Sequence, residues 1–294
     1  MKRKLLSFPI LALSTLSLLF SPNVSYAVTD QNENQSVSTQ SVDDVEDKGD
    51  GFRSAIKQSE FGETVVGGEA NLKVPGNSYI NAIAEKIYPE FFITINSEDG
   101  STFDGGVILE GKQWKAVIFG GGVWKEIKLP SITGKTVKLK FGGEIDERGE
   151  YIVKLHVINT SGKTLGSVFV DKDTPTYDKN GNLTGKLGWL AENPYWRGLK
   201  TVGFELNMVP KSDKGYYHQT TDNYGKRAFF QGAEFSIAVP VKKAGGTLSL
   251  DKFNWTHIKN CDDTQYDQSE VEKIVYDVSN KTYLFTTINF NNLP

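Results

Sequence analysis

From Asp104 to Val170 the chain alternates apolar and polar residues in short runs that glycine interrupts every few positions, and no other feature restricts its fold as much. Val137, Leu139 and Phe141 alternate with Thr136, Lys138 and Lys140; Tyr151, Val153, Leu155 and Val157 alternate with Ile152, Lys154, His156 and Ile158. A period of two means strands with one buried face. Upstream, Gly105-Gly106-Val107-Ile108-Leu109, Trp114 to Phe119 and Val123 to Leu129 are separated by Gly111 and by Gly120-Gly121-Gly122, which reads as a meander of hairpins in an antiparallel sheet.

The same period returns later. Val202, Phe204, Leu206 and Met208 form one face, with Gly203, Glu205 and Asn207 on the other. Phe235, Ile237 and Val239 are expected to face inward, opposite Glu234, Ser236 and Ala238. Further strands are expected over Thr247–Leu250, Lys252–Ile258, Val271–Val278 and Thr282–Phe290. Thr64-Val65-Val66 and Ala70 to Val74 read as two edge-like strands around Gly67-Gly68, and Phe91 to Asn96 as another strand. Between them, Ile80, Ile83, Ala84 and Ile87 fall at helical spacing, so Ser78 to Tyr88 is expected to form one short helix. About a dozen strands with one helix point to an all-β fold, an antiparallel two-sheet sandwich.

The start of the chain is of another character. Lys2, Arg3 and Lys4 precede an apolar run from Leu5 to Phe20, and Ser25-Tyr26-Ala27 supplies small residues at the cleavage positions, so residues 1–27 read as a secretory signal peptide. Residues 28–51 lack aromatics and carry seven acidic groups against Lys48 alone, the composition of a disordered leader, a spacer or a propeptide. From Phe52 to Pro294 the chain has 29 basic and 29 acidic residues, enough length for one β domain, and no footprint for nucleic acid or for insertion into a membrane. The expected location is outside the cell, free or associated with the cell wall. Cys261 is the only cysteine, so no intrachain disulfide is expected.

The meander of residues 105–124 and the pair Tyr151–Asn159 and Thr164–Asp171 around Ser161-Gly162-Lys163 resemble the concanavalin-like jelly roll. The order of signal peptide, polar leader, Leu72-Lys73-Val74-Pro75-Gly76-Asn77-Ser78-Tyr79-Ile80 and Trp114 hairpins is similar to the secreted YrpD-type proteins of bacilli. That resemblance implies a secreted bacterial protein and carries over no catalytic residue, the family having no assigned activity.

Motifs for chemistry are sparse. Glu144-Ile145-Asp146-Glu147 approaches the Glu-x-Asp-x-Glu strand of retaining jelly-roll glycosidases, but Arg148 stands where the second glutamate belongs, and the flanking glycines favour a charged turn. Asp178-Lys179-Asn180-Gly181-Asn182 begins like a calcium loop, yet Leu183 and Trp189 occupy positions that need glycine and glutamate, so an Asn-Gly turn is the better reading. No cofactor is expected, calcium held by Asp171, Asp173, Asp262, Asp263 and Asp267 being the one alternative. His156, His218, His257 and Cys261 lack zinc spacing, and no serine follows a nucleophile-elbow pattern. Gly120-Gly121-Gly122 has no helix after it to cradle a phosphate.

The polar stretches 171–198 and 210–226 are the expected binding loops, because flat aromatic rings stack on sugars and adjacent polar groups meet hydroxyls. Their ligand-binding candidates are Trp189, Tyr195, Trp196 and Arg197 in the first, and Tyr216, Tyr217, His218 and Tyr224 in the second. The leading expectation is a non-catalytic protein that binds a polysaccharide or cell-surface glycan. The alternatives are a lyase or hydrolase using His218 with a tyrosine, or carboxylates such as Glu205 and Glu234, and a structural surface protein.

Overall fold

The computed structural model describes residues 52–82, 87–178, 180–210, 229–248, 255–260, 272–277 and 283–289. The signal peptide and leader therefore lie outside the described residues, as do most of the second expected binding loop and Cys261, Asp262, Asp263 and Asp267.

Two antiparallel sheets pack face to face as a sandwich. The first sheet has the order β15-β1-β13-β4-β5-β6-β7. Its members are β1 (Phe52–Ser59), β4 (Ile87–Ser97), β5 (Thr102–Glu110), β6 (Gln113–Gly120), β7 (Val123–Lys128), β13 (Leu199–Pro210) and β15 (Trp255–Asn260). The second has the order β10-β9-β8-β2-β14-β17-β16, with the short β3 (Ile80–Asn81) also paired to β14. It comprises β2 (Val65–Lys73), β8 (Thr136–Ile145), β9 (Tyr151–Asn159), β10 (Thr164–Val170), β14 (Phe229–Lys242), β16 (Glu272–Asp277) and β17 (Tyr283–Asn289). A small hairpin, β11 (Pro175–Tyr177) with β12 (Leu183–Lys186), stands apart. Among the described residues no helix is long and apolar enough to cross a membrane.

The inward faces are those the alternation dictates. Phe91, Ile93, Phe204 and Leu206 from the first sheet meet Leu139, Phe141, Leu155 and Phe235 from the second, all essentially inaccessible to water. Burying side chains of this size is the main term favouring the fold. Missing side chains permit close approach, at Gly105 and Gly67 among other glycines. A Cβ on Gly105 would lie 2.4 Å from the ring of Phe141, and one on Gly67 would lie 2.3 Å from the backbone oxygen of Phe141.

Three local expectations are corrected. Gly67-Gly68 does not separate two edge strands: β2 runs straight through them and lies centrally, between β8 and β14. Residues 83–86 of the helix expected over Ser78–Tyr88 lie outside the described residues, and the described ends form instead a 3-10 turn at Asn77–Tyr79, β3, whose Ile80 is buried opposite Phe230, and β4, which begins at Ile87. Ile80 and Ile87 thus serve strand pairing, which their β-branched side chains favour. Ile237 faces out, 49% exposed at φ 52°, while Ala238 is buried, because β14 bulges between Ser236 and Val239 against β2 and the alternation slips by one. β1, unread in the sequence, contributes buried Ile56 to the core.

Gly105→Ala is expected to lower stability by about 1–3 kcal/mol by overpacking against Phe141. Combining it with Phe141→Leu should recover part of that loss in a denaturant-unfolding double-mutant cycle; strictly additive effects would contradict the close contact.

Candidate active site

The outer face of the first sheet carries an unusual set of buried polar groups. Because directly paired residues share a face, the register places them in one patch. On β13 and β4, Thr201 is opposite Asn96, Gly203 opposite Thr94, Glu205 opposite Phe92 and Asn207 opposite Glu90. Continuing outward, Thr94 is opposite Asp104 on β5, Asp104 opposite Phe119 on β6, and Phe119 opposite Trp124 on β7. A sandwich's outer sheet face is ordinarily solvated, yet Glu90, Thr94, Asn96, Thr201, Glu205 and Asn207 are all buried.

Glu205 is the organised centre. Thr94 Oγ1 donates to its Oε1 at 2.8 Å, and Asn207 Nδ2 donates to its Oε2 at 3.2 Å, so both oxygens accept, as a carboxylate's do. Asn207 Oδ1 has no hydrogen bond among the described residues. Asn96 Nδ2 donates to Thr201 Oγ1 at 2.6 Å, and Thr102 Oγ1 donates to Asn96 Oδ1, extending the network along the strand ends. Gly203 lies beside this centre. A Cβ there would stand 3.6 Å from Thr94 Cβ and 3.8 Å from Glu205 Oε1, an ordinary contact, so glycine here leaves a gap next to the carboxylate that packing does not require.

Glu90 is the opposite case. Burial pushes its carboxyl well above the usual range, and the negative charges of Asp104 and Glu205 push it further, so its protonated form is favoured. A carboxyl held as an acid beside a hydrogen-bonded carboxylate is the arrangement that divides acid and base roles between two like residues. Apolar rings flank it: Phe92 meets Phe119 edge-on with centroids 5.2 Å apart, and Phe119 stacks on the half-buried Trp124 at 5.8 Å.

The residues expected to bind ligand are placed differently. Tyr195 is completely buried and Trp189 is packed against the core; with Phe103 they form an aromatic cluster, the Phe103–Trp189 rings stacked at 5.7 Å and Phe103–Tyr195 at 5.6 Å. Their loop folds into a 3-10 turn at Gly188–Glu192 and α1 (Pro194–Arg197), entered through Asn193 in the left-handed region at φ 55°. This corrects the reading of Tyr195 as a stacking platform, since its ring is wholly buried, while Trp189 is half-buried with its ring stacked on Phe103. Trp196 is half-buried under the Lys243 ammonium, 5.2 Å from its centroid, and Arg197 is exposed. Tyr216, Tyr217, His218 and Tyr224 lie outside the described residues. Glu234 belongs to the second sheet, paired with Lys73 at 3.4 Å, and so does not join Glu205.

The acidic motifs are turns. Asp146 Oδ1 accepts the backbone N–H groups of Arg148 and Glu150, and Asp178 Oδ1 those of Asn180 and Asn182. Asp171 and Asp173 are used in the same local way: Asp171 Oδ1 accepts from Asp173 N–H and Thr174 Oγ1, and Asp173 pairs with Lys186. Among the described residues no cluster of three potential metal ligands occurs.

Comparison with known proteins adds little. No family model matches the chain, and no curated protein matches it. Among solved structures it is similar to scytalido-glutamic peptidase with a peptide-based transition state analog, at TM-score 0.45 and 13% identity over 82% of this chain and 98% of that one. SCP-B, an eqolisin-family peptidase in complex with the tripeptide Ala-Ile-His, is similar at TM-score 0.42, again with 13% identity, 82% and 98% coverage. Likeness this loose carries no inference about activity.

A carboxyl whose pKa is higher folded than unfolded contributes stability that is complete below the unfolded pKa and lost as pH rises through the folded one. Glu90→Gln should therefore match the wild type's melting temperature near ~pH 4 and exceed it increasingly toward neutral and alkaline pH, by at least about 1 kcal/mol of stability. A difference that does not grow with pH would contradict the buried-acid assignment.

Proposed function

We propose that the protein is a secreted, glycan-cleaving β-sandwich whose carboxyl pair on the outer face of the first sheet performs acid and base catalysis. The observation that carries this reading is that Glu90, held toward its protonated form, shares a sheet face with Glu205, whose two oxygens accept from Thr94 and Asn207. In such a site the protonated carboxyl donates to the departing glycosidic oxygen, and the carboxylate attacks the sugar or deprotonates the attacking water. Phe119 and Trp124 on the same face suit the apolar flank of a sugar ring.

A second reading, glycan binding without cleavage, is favoured by the half-buried Trp124, whose Nε1 donates to Glu126 Oε2 at 2.9 Å at the edge of the patch. One experiment separates the two. Residues 28–294 are incubated with insoluble polysaccharides and purified cell walls, and the pellet is assayed for protein and the supernatant for new reducing ends. Cleavage predicts sugar release that Glu205→Gln and Glu90→Gln each reduce by at least about 100-fold, with the bound fraction unchanged. Binding that Trp124→Ala weakens, without any release, would favour the second reading, and neither binding nor release would contradict both.

A further inference from the structure

The outer face of the second sheet holds a separate constellation, remote in the fold from the carboxyl pair. β8, β9 and β10 are consecutive neighbours, and their register sets Lys140 opposite His156 and His156 opposite Ser167. Ser167 Oγ lies 3.1 Å from His156 Nδ1. On its other side the imidazole Nε2 lies 3.1 Å from Glu144 Oε1 and 3.2 Å from Oε2. Lys140 Nζ stands 3.2 Å from the same Glu144 Oε1.

One placement of protons satisfies every contact in this row when the imidazole is neutral. Nε2–H donates to Glu144, leaving the Nδ1 lone pair to accept from the Ser167 hydroxyl. The carboxylate end is fixed: burial alone would raise Glu144, but its hydrogen bonds to His156 and Lys140, the Lys140 charge and, once the imidazole is protonated, the His156 charge outweigh burial and bring it to about 2. Hydroxyl, base and orienting carboxylate in hydrogen-bonded sequence are what activates a serine, and the arrangement is recognised by geometry rather than by position in the chain. All three are half-buried rather than sealed in the core. Phe169 lies two residues further along the same face of β10, 37% exposed, with Lys154 opposite it.

We propose that Ser167 is a nucleophile for acyl transfer, with His156 as its general base and Glu144 as the residue that positions the imidazole, acting on esters whose acyl group lies against the exposed part of Phe169, beside the Lys125 ammonium that stands 4.5 Å from that ring's centroid. The Ser167 Oγ bonds to the acyl carbon while its proton passes to His156 Nδ1. The ester carbon–oxygen bond breaks and the departing alcohol takes that proton. Water, deprotonated by the same imidazole, then attacks the acyl-serine, releasing the carboxylic acid and restoring the serine hydroxyl.

The test is covalent labelling of the full chain with an alkyl fluorophosphonate, read by intact mass and peptide mapping. The expected result is one adduct per chain, at Ser167. It should be absent in Ser167→Ala and form at least about 100-fold more slowly in His156→Asn, with an intermediate rate in Glu144→Gln. No adduct, an adduct at another serine such as Ser161, or a rate at Ser167 unchanged in both His156→Asn and Glu144→Gln would overturn the proposal, the last showing only an exposed serine.

Discussion

The register of β13 between β1 and β4 is the constraint on which the carboxyl-bearing face depends. Val202, Phe204 and Leu206 are buried in the core, and a slip of one residue would turn all three to the outer face. Fixing them inward fixes Thr201, Glu205 and Asn207 outward, opposite Asn96, Phe92 and Glu90. The polar patch is therefore a consequence of core packing across the sheet, and its members come from strands far apart in sequence. Glu205 would carry little meaning on an isolated strand. Its oxygens accept from Thr94 and Asn207, and its charge is one of the influences that raise the Glu90 carboxyl.

Long-range order was legible wherever inward and outward demands coincided. Strands β8, β9 and β13 are readable from alternation because one side of each meets the core and the other is polar. Legibility failed where a neighbour overrode the local pattern. The bulge in β14 shifts Ile237 outward, and no composition rule marks a two-against-one pairing with β2. The glycines of β2 read as breaks, but they mark close packing against Phe141 and the first sheet, which only the assembled sandwich reveals. Ile80 and Ile87 mimicked a helical stripe because hydrophobic spacing across a turn and two strands reproduced that period by coincidence.

The site was legible in part. Glu205 and Asn207 were assigned to a polar face by alternation, whereas Glu90 fell just before the expected strand, although Glu90, Phe92, Thr94 and Asn96 continue the same period. The aromatics of residues 189–196 drew notice as a binding surface because loops rich in rings often serve that purpose. Here Trp189 and Tyr195 close the end of the core around Phe103, and the anchoring of Leu187 and Leu190 at 0% exposure shows the same inward pull. Ser167, His156 and Glu144 form no motif together in the sequence, being eleven and twelve residues apart, and only antiparallel pairing of three strands brings them into hydrogen-bond reach.

The central claim is that a glutamic acid is retained in its protonated form on the outer face of the first sheet. Infrared difference spectroscopy of the full chain at neutral pH tests it most directly, through the carbonyl stretch of a protonated carboxyl group. The account expects that band in the wild type and its loss in Glu90→Gln, with Glu234→Gln leaving it in place. A wild-type spectrum without the band at neutral pH, or one that Glu90→Gln leaves unaltered, would contradict it.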